Sequence, residues 1–286
     1  MNIQQLSQEI GIGTDTLRIW ERRYGYPLPQ RDSRGHRSYS RDQLEELRIV
    51  KRLQSLGYRP GKIFALTSIE RRRLLEKEWQ QASPESDYLE RLTTKSSPNE
   101  IEQELRSRLR NMGLENFIHQ LAIPLIQTLD RGWTSGCVTM AREHLVSDRL
   151  DLLLNEQLNK PLAVGGGARM LFLTLSGERH KLGLLMSAAL FHQQGIEVFL
   201  LHEELPLSEI PQLAVDLQVA GVALSFSTHY SVNQAKKDLV SLRNALDRKV
   251  KLFAGGYAVQ SGINLPDIIV CTELDKIPAL CKQHLS

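Results

Sequence analysis

The chain has 286 residues, 41% of them hydrophobic and 24% charged, with a formal net charge of +3. That length exceeds one small core and predicts two or three domains, while no apolar run approaches the roughly 18 residues that a membrane span needs. The opening stretch, MNIQQLSQEIGIG, has no basic segment followed by an apolar one, so no secretory signal is expected and the protein is placed in the cytoplasm.

Charge is distributed unevenly. Residues 1–80 carry 16 Lys and Arg against 10 Asp and Glu, whereas the other 206 residues carry 20 against 23. A basic head on a mildly acidic body points to a polyanionic partner at one end. The three cysteines, Cys137, Cys271 and Cys281, have neither CxxC spacing nor neighbouring histidines, which argues against a disulfide framework and a zinc site.

From the N-terminus, Ile3, Leu6 and Ile10 share one helical face, and Gly11 ends that turn. Thr14 is expected to cap a second helix with Leu17 and Trp20 on its inner side, which gives the two short helices of a helix-turn-helix. The stretch YGYPLPQRDSRGHRSYS, residues 24–40, contains two prolines and Gly35 and predicts an extended excursion that returns, carrying Arg31, Arg34 and Arg37. Ser40 and Gln43 have capping-box spacing before an apolar face that runs through Leu44, Leu47 and Val50 to Leu56 and stops at Gly57.

The run TDTLRIWERRYGYPLPQRDSRGHRSYSRDQLEELRIVKRLQSLGY resembles the winged helix-turn-helix of the MerR family over about the first 70 residues. The resemblance implies a small β wing on an all-α core, double-stranded operator DNA as partner, and contacts from Thr14, Thr16, Arg18, Arg22, Arg23, Arg34, Arg37 and Tyr39. Physically, the start of the Thr14 helix suits a major groove and guanidinium groups on a wing suit phosphates.

Residues 1–75 are therefore assigned to DNA binding, and 76–98, polar with two Ser-Pro steps, to a linker containing some helix. Over 99–160 the apolar positions Leu105, Leu109, Phe117, Leu121, Leu125 and Leu129 return at helical spacing and predict a small bundle. LNKPLAVGGGAR, residues 158–169, ends it. Over 168–286 strands and helices alternate: MLFLTL, a helix over 182–194, IEVFLL, a helix over 208–218, GVALSF, a helix over 231–246, VKLFAG, DIIV and a terminal helix. Continuous apolar strands with helical crossovers predict an α/β flavodoxin-like doubly wound parallel sheet.

In such a sheet, ligands sit beyond the carboxyl ends of the strands where the order switches. His180 follows the first strand, Ser225 and Ser227 end the third, and Gly255 and Gly256 end the fourth, so three loops distant in sequence converge on one edge. An imidazole there can bind a transition metal through one nitrogen while the other donates to a carboxylate such as Glu178. Gly183 and the Gly255-Gly256 pair remove side chains where a bulky group must pass.

This set is similar to the cobalamin-binding domain of methionine synthase and its relatives, whose pattern D/E-x-H-x-x-G, S-x-L and G-G is met by Glu178, His180 and Gly183, by Ser225 to Ser227, and by Gly255 and Gly256. Serine stands at 227 where that pattern has leucine. The resemblance implies cobalt ligated by His180 from below and the displaced lower base held in a slot by Ser225, with the glycines making room for the nucleotide loop. Trp133, nine residues, then Glu143 and His144 resemble the W-x9-E-H signature of CarH/LitR-type photoreceptor regulators, which join a MerR head to a cobalamin module. That resemblance implies adenosylcobalamin, with Trp133, Glu143 and His144 at its upper group. Thr134 stands where light-sensing relatives carry a second cobalt-binding histidine, so a bis-histidine photoproduct cannot form from that position.

The function expected is a non-enzymatic, homo-oligomeric transcriptional regulator, dimeric or tetrameric, whose operator affinity follows bound cobalamin. Two alternatives stand beside it: a MerR-like regulator with a cobalamin-free sensor that responds to a protein partner, and a corrinoid methyl carrier.

Overall fold

Helix α1 (Ile3–Ile10) opens the chain, buries Leu6 and Ile10, and is followed by α2 (Thr14–Tyr24), which buries Leu17 and Trp20. The computed structural model describes residues 1–10, 12–31, 37–55, 57–80, 84–94, 96–135, 138–162, 167–178, 180–227, 230–260 and 265–285. Gly11 and Leu56 fall outside these residues. The chain divides into two compact units, residues 1–103 with 119–147, and residues 104–118 with 148–286.

The N-cap of α2 is Gly13, in place of the Thr14 expected from sequence. The Leu17 amide already donates to the Gly13 carbonyl, so the first helical bond closes one residue earlier and Thr14 becomes the first residue inside the helix. Strands β1 (Gln30–Arg31) and β2 (Arg37–Ser38) pair antiparallel as a two-residue wing. Helix α3 (Arg41–Ser55) begins on the expected capping box: the Gln43 amide donates to Ser40 Oγ, and the Ser40 amide donates to Gln43 Oε1, each at 3.2 Å. Helix α4 (Pro60–Phe64) brings Phe64 against Trp20, Tyr24 and Tyr26, closing the aromatic side of this core.

Helix α5 (Ser68–Gln80) is fastened to α3 by charge. Glu46 receives Arg71 at 3.1 Å, Arg72 at 2.9 Å and the Ser68 hydroxyl at 2.5 Å, and Arg71 also donates to the carbonyl of Leu66. Burial raises the Glu46 carboxyl, but the hydrogen bonds from Ser68, Arg71 and Arg72 outweigh it and hold the group below its ordinary value. A carboxyl depressed in the fold stabilises it above the ordinary value of 4.5, and that contribution disappears as pH falls through the lowered one. Glu46→Gln is therefore expected to cost about 1–2 kcal/mol at neutral pH and to flatten the acid limb of stability, measured by thermal unfolding from pH 7 to pH 3; an unchanged acid limb would exclude Glu46 as its source.

Helices α6 (Pro84–Thr94) and α7 (Pro98–Met112) follow. The Ser-Pro step at 97–98 starts a helix: the Ser97 amide donates to Glu100 and the Glu100 amide to Ser97 Oγ, with proline at the first helical position. Then come α8 (Leu114–Phe117), a π-helical turn over Ile118–Ala122, α9 (Ile123–Ser135) and α10 (Met140–Leu158). Phe117, Leu121, Leu125 and Leu129 are all buried, as the spacing predicts.

The second unit carries the parallel sheet. Its strands β3 (Arg169–Leu173), β4 (Glu197–Leu200), β5 (Gly221–Ser225), β6 (Lys251–Gly255) and β7 (Ile268–Cys271) lie in the order β4-β3-β5-β6-β7, the doubly wound arrangement expected. Helices α11 (Leu182–Gln193), α12 (Ile210–Asp216), α13 (Val232–Ala245), α14 (Tyr257–Gln260) and α15 (Ile277–His284) follow the strands. Alternate residues divide between the faces: Leu171, Leu173, Val222, Leu224, Leu252 and Ala254 pack with α12 and α13, while Phe172 and Phe253 meet Phe191 of α11 on the other face.

Candidate DNA-reading face and ligand site

On α2 the side chains of Thr16, Arg18, Arg22 and Arg23 are exposed, and Thr14 is half-buried. Arg18 leans on Asp15 at 3.1 Å and Arg37, on β2, on Glu21 at 3.4 Å. Such exposed pairs are worth little, so these guanidinium groups can exchange a carboxylate for a phosphate cheaply. Arg34 lies outside the described residues. Tyr39, also expected at DNA, is turned into the core with 3% exposure, because the Tyr39 amide and carbonyl pair with Met1 and carry the end of the wing inward. Of the cations expected at DNA, Arg18, Arg22 and Arg23 on α2 and Arg37 on β2 are exposed, whereas Tyr39 belongs to the core.

Farther along the same unit, Arg142 of α10 donates to the carbonyls of Leu92, Thr93 and Ser96, which closes the C-terminal end of α6 with a guanidinium group. Nothing in the local sequence marks that contact. The next two residues are Glu143, which accepts from Ser147 Oγ, and His144, whose Nδ1 lies 2.5 Å from Glu143 and whose ring is mostly exposed. Trp133 and Thr134 belong to α9, and their side chains lie outside the description.

In the second unit, β3 and β5 are neighbours, and the chain leaves them toward opposite sides of the sheet order. Beyond their carboxyl ends stand Glu178, His180 and Ser227. Glu178 is 1% exposed. Its Oε1 accepts from the His180 amide at 2.8 Å and faces His180 Nδ1 at 3.0 Å, and its Oε2 accepts from the Ser227 amide at 2.7 Å. Burial raises this carboxyl, yet the hydrogen bonds from His180 and Ser227 prevail and hold it below the usual carboxylate range.

An ionised carboxylate only accepts, so the proton of the imidazole sits on Nδ1 and the lone pair on Nε2. The serine that replaces leucine at 227 joins this arrangement, with its hydroxyl 3.2 Å from His180 Nδ1. The His180 ring is about half exposed, so an oriented imidazole is presented at the sheet edge.

Ser225 ends β5 and pairs in register with Gly255. A methyl group on Gly183 would meet Ser225 Oγ at 3.5 Å, an ordinary contact, so anything larger would fill the space above that serine. Gly256 has another reason to be glycine. Its φ is +91°, and a Cβ there would stand 2.3 Å from the Phe226 carbonyl oxygen. A cleft of about 590 Å³ lies at the other end of α11, near Ala189 and His192, where Arg106 is engaged by Glu156 through two bonds of 2.6 Å.

Among the described residues, no group of three or more His, Cys, Asp or Glu could hold a metal ion, and no helix is long and apolar enough to cross a membrane. Among the described residues Cys271 and Cys281 form no disulfide, and burial pushes Cys281 up to about 12; Cys137 lies outside the described residues.

Residues 1–68 match the family model of MerR HTH family regulatory proteins. Together with the exposed cations of α2 and the wing, this makes the chain a transcriptional regulator with a MerR-type head. Its similarity to two HTH-type transcriptional repressors extends far beyond the head. It is 26% identical over 260 residues to the HTH-type transcriptional repressor CarH of Myxococcus xanthus, across 88% of this chain and 87% of CarH, and 28% identical over 232 residues to the repressor CarA of the same organism, across 79% and 76%. Among solved structures, the monomethylamine corrinoid protein of Methanosarcina barkeri aligns with 69% of this chain and 94% of its own at a TM-score of 0.52 and 12% identity, a likeness of fold.

Proposed function

We propose that this regulator holds cobalamin, as adenosylcobalamin, on its second unit and that the vitamin sets its association state and operator affinity. The observation that carries the proposal is the Glu178–His180–Ser227 arrangement at the switch point of the sheet. A carboxylate that fixes the tautomer of an imidazole is the usual support of a metal-ligating histidine. His180 Nε2 would hold the cobalt, Ser225 the displaced lower base, and Gly183 and Gly255 the space for the tail; Trp133, Glu143 and His144 are proposed to recognise the adenosyl group. The bound vitamin supplies a cobalt–carbon bond at its upper face, and the chain supplies the lower ligand, the slot and the DNA contacts of Thr14, Thr16, Arg18, Arg22, Arg23, Arg34 and Arg37.

The proposed division of labour is 1–75 for DNA, 76–98 as linker, 99–160 as cap and 168–286 as cobalamin domain. A homo-oligomer, dimeric or tetrameric, would place paired heads on a repeated operator, with linkage between vitamin and assembly supplying the control. Repression is the proposed sign, after the names of CarH and CarA, and the cytoplasm the proposed compartment. A methyl-carrier role has only the fold of the second unit behind it.

The test uses the full chain incubated in darkness with adenosylcobalamin and passed over a desalting column. A retained red pigment is expected, together with a 5- to 150-fold difference in affinity, with and without the vitamin, for a duplex selected from a random-sequence pool. A colourless protein, or equal affinity in both states, would overturn the proposal; illumination of the loaded protein then asks whether light acts despite Thr134.

A further inference from the structure

The carboxyl edge of the sheet contains a polar atom that the motifs do not name. Leu173 pairs with Leu224, Ser225 with Gly255, and Gly255 with Cys271. Thr174 directly follows the last residue of β3, and continuing the register one step past Leu173 and Leu224 sets it in one row with Ser225, Gly255 and Cys271. Leu173, Leu224, Ala254 and Val270 belong to the core beneath α12 and α13. Alternation therefore sends the side chains of this row to the opposite face, the one covered by α11.

Thr174 is 1% exposed, and its Oγ1 is buried with no hydrogen-bond partner among the described residues. A buried hydroxyl left unbonded is costly, and native chains rarely tolerate one without a use for it. Phe172, two residues earlier on the same face, is packed by Phe191 as ordinary core, so the apolar packing around α11 does not require a hydroxyl at 174.

We infer that Thr174 is a specificity-determining residue for the lower half of the corrinoid: its hydroxyl bonds the nucleotide tail in the slot over Ser225, so the domain selects corrinoids that carry a tail. This rests on the cobalamin assignment proposed above. It deepens that assignment from the corrin ring to the choice among corrinoids. Because Thr174 lies in the row with Ser225, the two hydroxyls offer the tail neighbouring polar contacts, while Gly255 contributes none and Cys271 directs its thiol to the Glu273 carbonyl.

The experiment compares wild type, Thr174→Val and Thr174→Ser for binding cobalamin and cobinamide, the same corrin without its nucleotide tail, followed by visible titration in darkness. Thermal unfolding of each ligand-free protein accompanies the titrations. Valine keeps the shape and removes the hydroxyl. Thr174→Val is expected to bind cobalamin about tenfold more weakly and cobinamide unchanged, with serine restoring the difference. Its ligand-free melting temperature is expected to stay level or rise, because a group without a partner has been replaced by a methyl. An unchanged cobalamin-to-cobinamide ratio would overturn the inference, as would a loss of ligand-free stability, which would show that the hydroxyl already serves the fold. Failure of the wild type to bind either corrinoid would overturn the cobalamin assignment itself and the inference with it.

Discussion

Full-length His180→Ala, loaded with adenosylcobalamin in darkness, is expected to bind the vitamin at least about 100-fold more weakly than wild type. Whatever it retains should show the spectrum of cobalt without a nitrogen lower ligand. The expectation follows from geometry. Altering the partner that orients a ligating histidine typically costs 10- to 100-fold in metal affinity, and removing the ligand itself costs at least as much. The fold should survive, because the His180 ring is about half exposed and supports no apolar core.

Glu178→Gln supplies the graded comparison. A glutamine can still accept one hydrogen bond, but its NH₂ group confronts a donor on one side, either the Ser227 amide or the two nitrogens of His180. Its affinity should fall between those of wild type and His180→Ala. If His180→Ala kept both the pigment and the wild-type spectrum, His180 would not be the lower ligand, and the buried carboxylate would have to be explained as a loop anchor alone.

Much of this site could be read in the sequence because two patterns repeat locally: the alternation of apolar strands with helices, and the spacing of Glu178, His180 and Gly183. The head was equally legible, since Leu17, Trp20, Leu44, Leu47 and Val50 face inward at helical spacing and Ser40 with Gln43 forms the capping box that the letters spell. The same spelling occurs at Thr67 to Glu70 and Ser97 to Glu100, where both boxes also form, but surrounding polar residues disguised them. Proline after Ser97 suggested a connection, yet proline is well suited to the first turn of a helix.

What local pattern does not carry is contact between distant residues. Ser227 looked like a departure from a motif, and only the approach of the loop after β5 to the loop after β3 gives its amide and hydroxyl to Glu178 and His180. Arg142 closing the end of α6, and Arg71 and Arg72 meeting on Glu46, depend in the same way on tertiary approach. Tyr39 misled because an aromatic beside arginines resembles a nucleic-acid contact until the pairing of its backbone with Met1 turns it inward.

Gly256→Ala is expected to destabilise the ligand-free chain by about 3–4 kcal/mol, among the largest effects of any single methyl group. Two costs combine. The backbone at φ +91° is one that an L side chain rarely adopts, and the added Cβ would lie 2.3 Å from the Phe226 oxygen and 2.9 Å from the Phe226 carbon and nitrogen. Neither neighbour can yield easily, because the Phe226 amide donates to the Gly255 carbonyl and the Phe226 carbonyl accepts from the Ala258 amide. Phe226 itself is fully buried and packs against Tyr230.

A fall in melting temperature on the order of 10 °C is expected for a unit of this size, seen before any vitamin is added. Gly255→Ala should be much milder, since its Cβ would meet one carbonyl, that of Cys271, at 3.2 Å and its φ is not in the left-handed region. The comparison separates two reasons for paired glycines at this edge. If Gly256→Ala kept its ligand-free stability and lost only cobalamin, Gly256 would be clearing space for the ligand. If it melts early and Gly255→Ala does not, Gly256 is there to let the loop after β6 lie against the backbone of Phe226, which holds the end of β5 where Ser227 can reach Glu178.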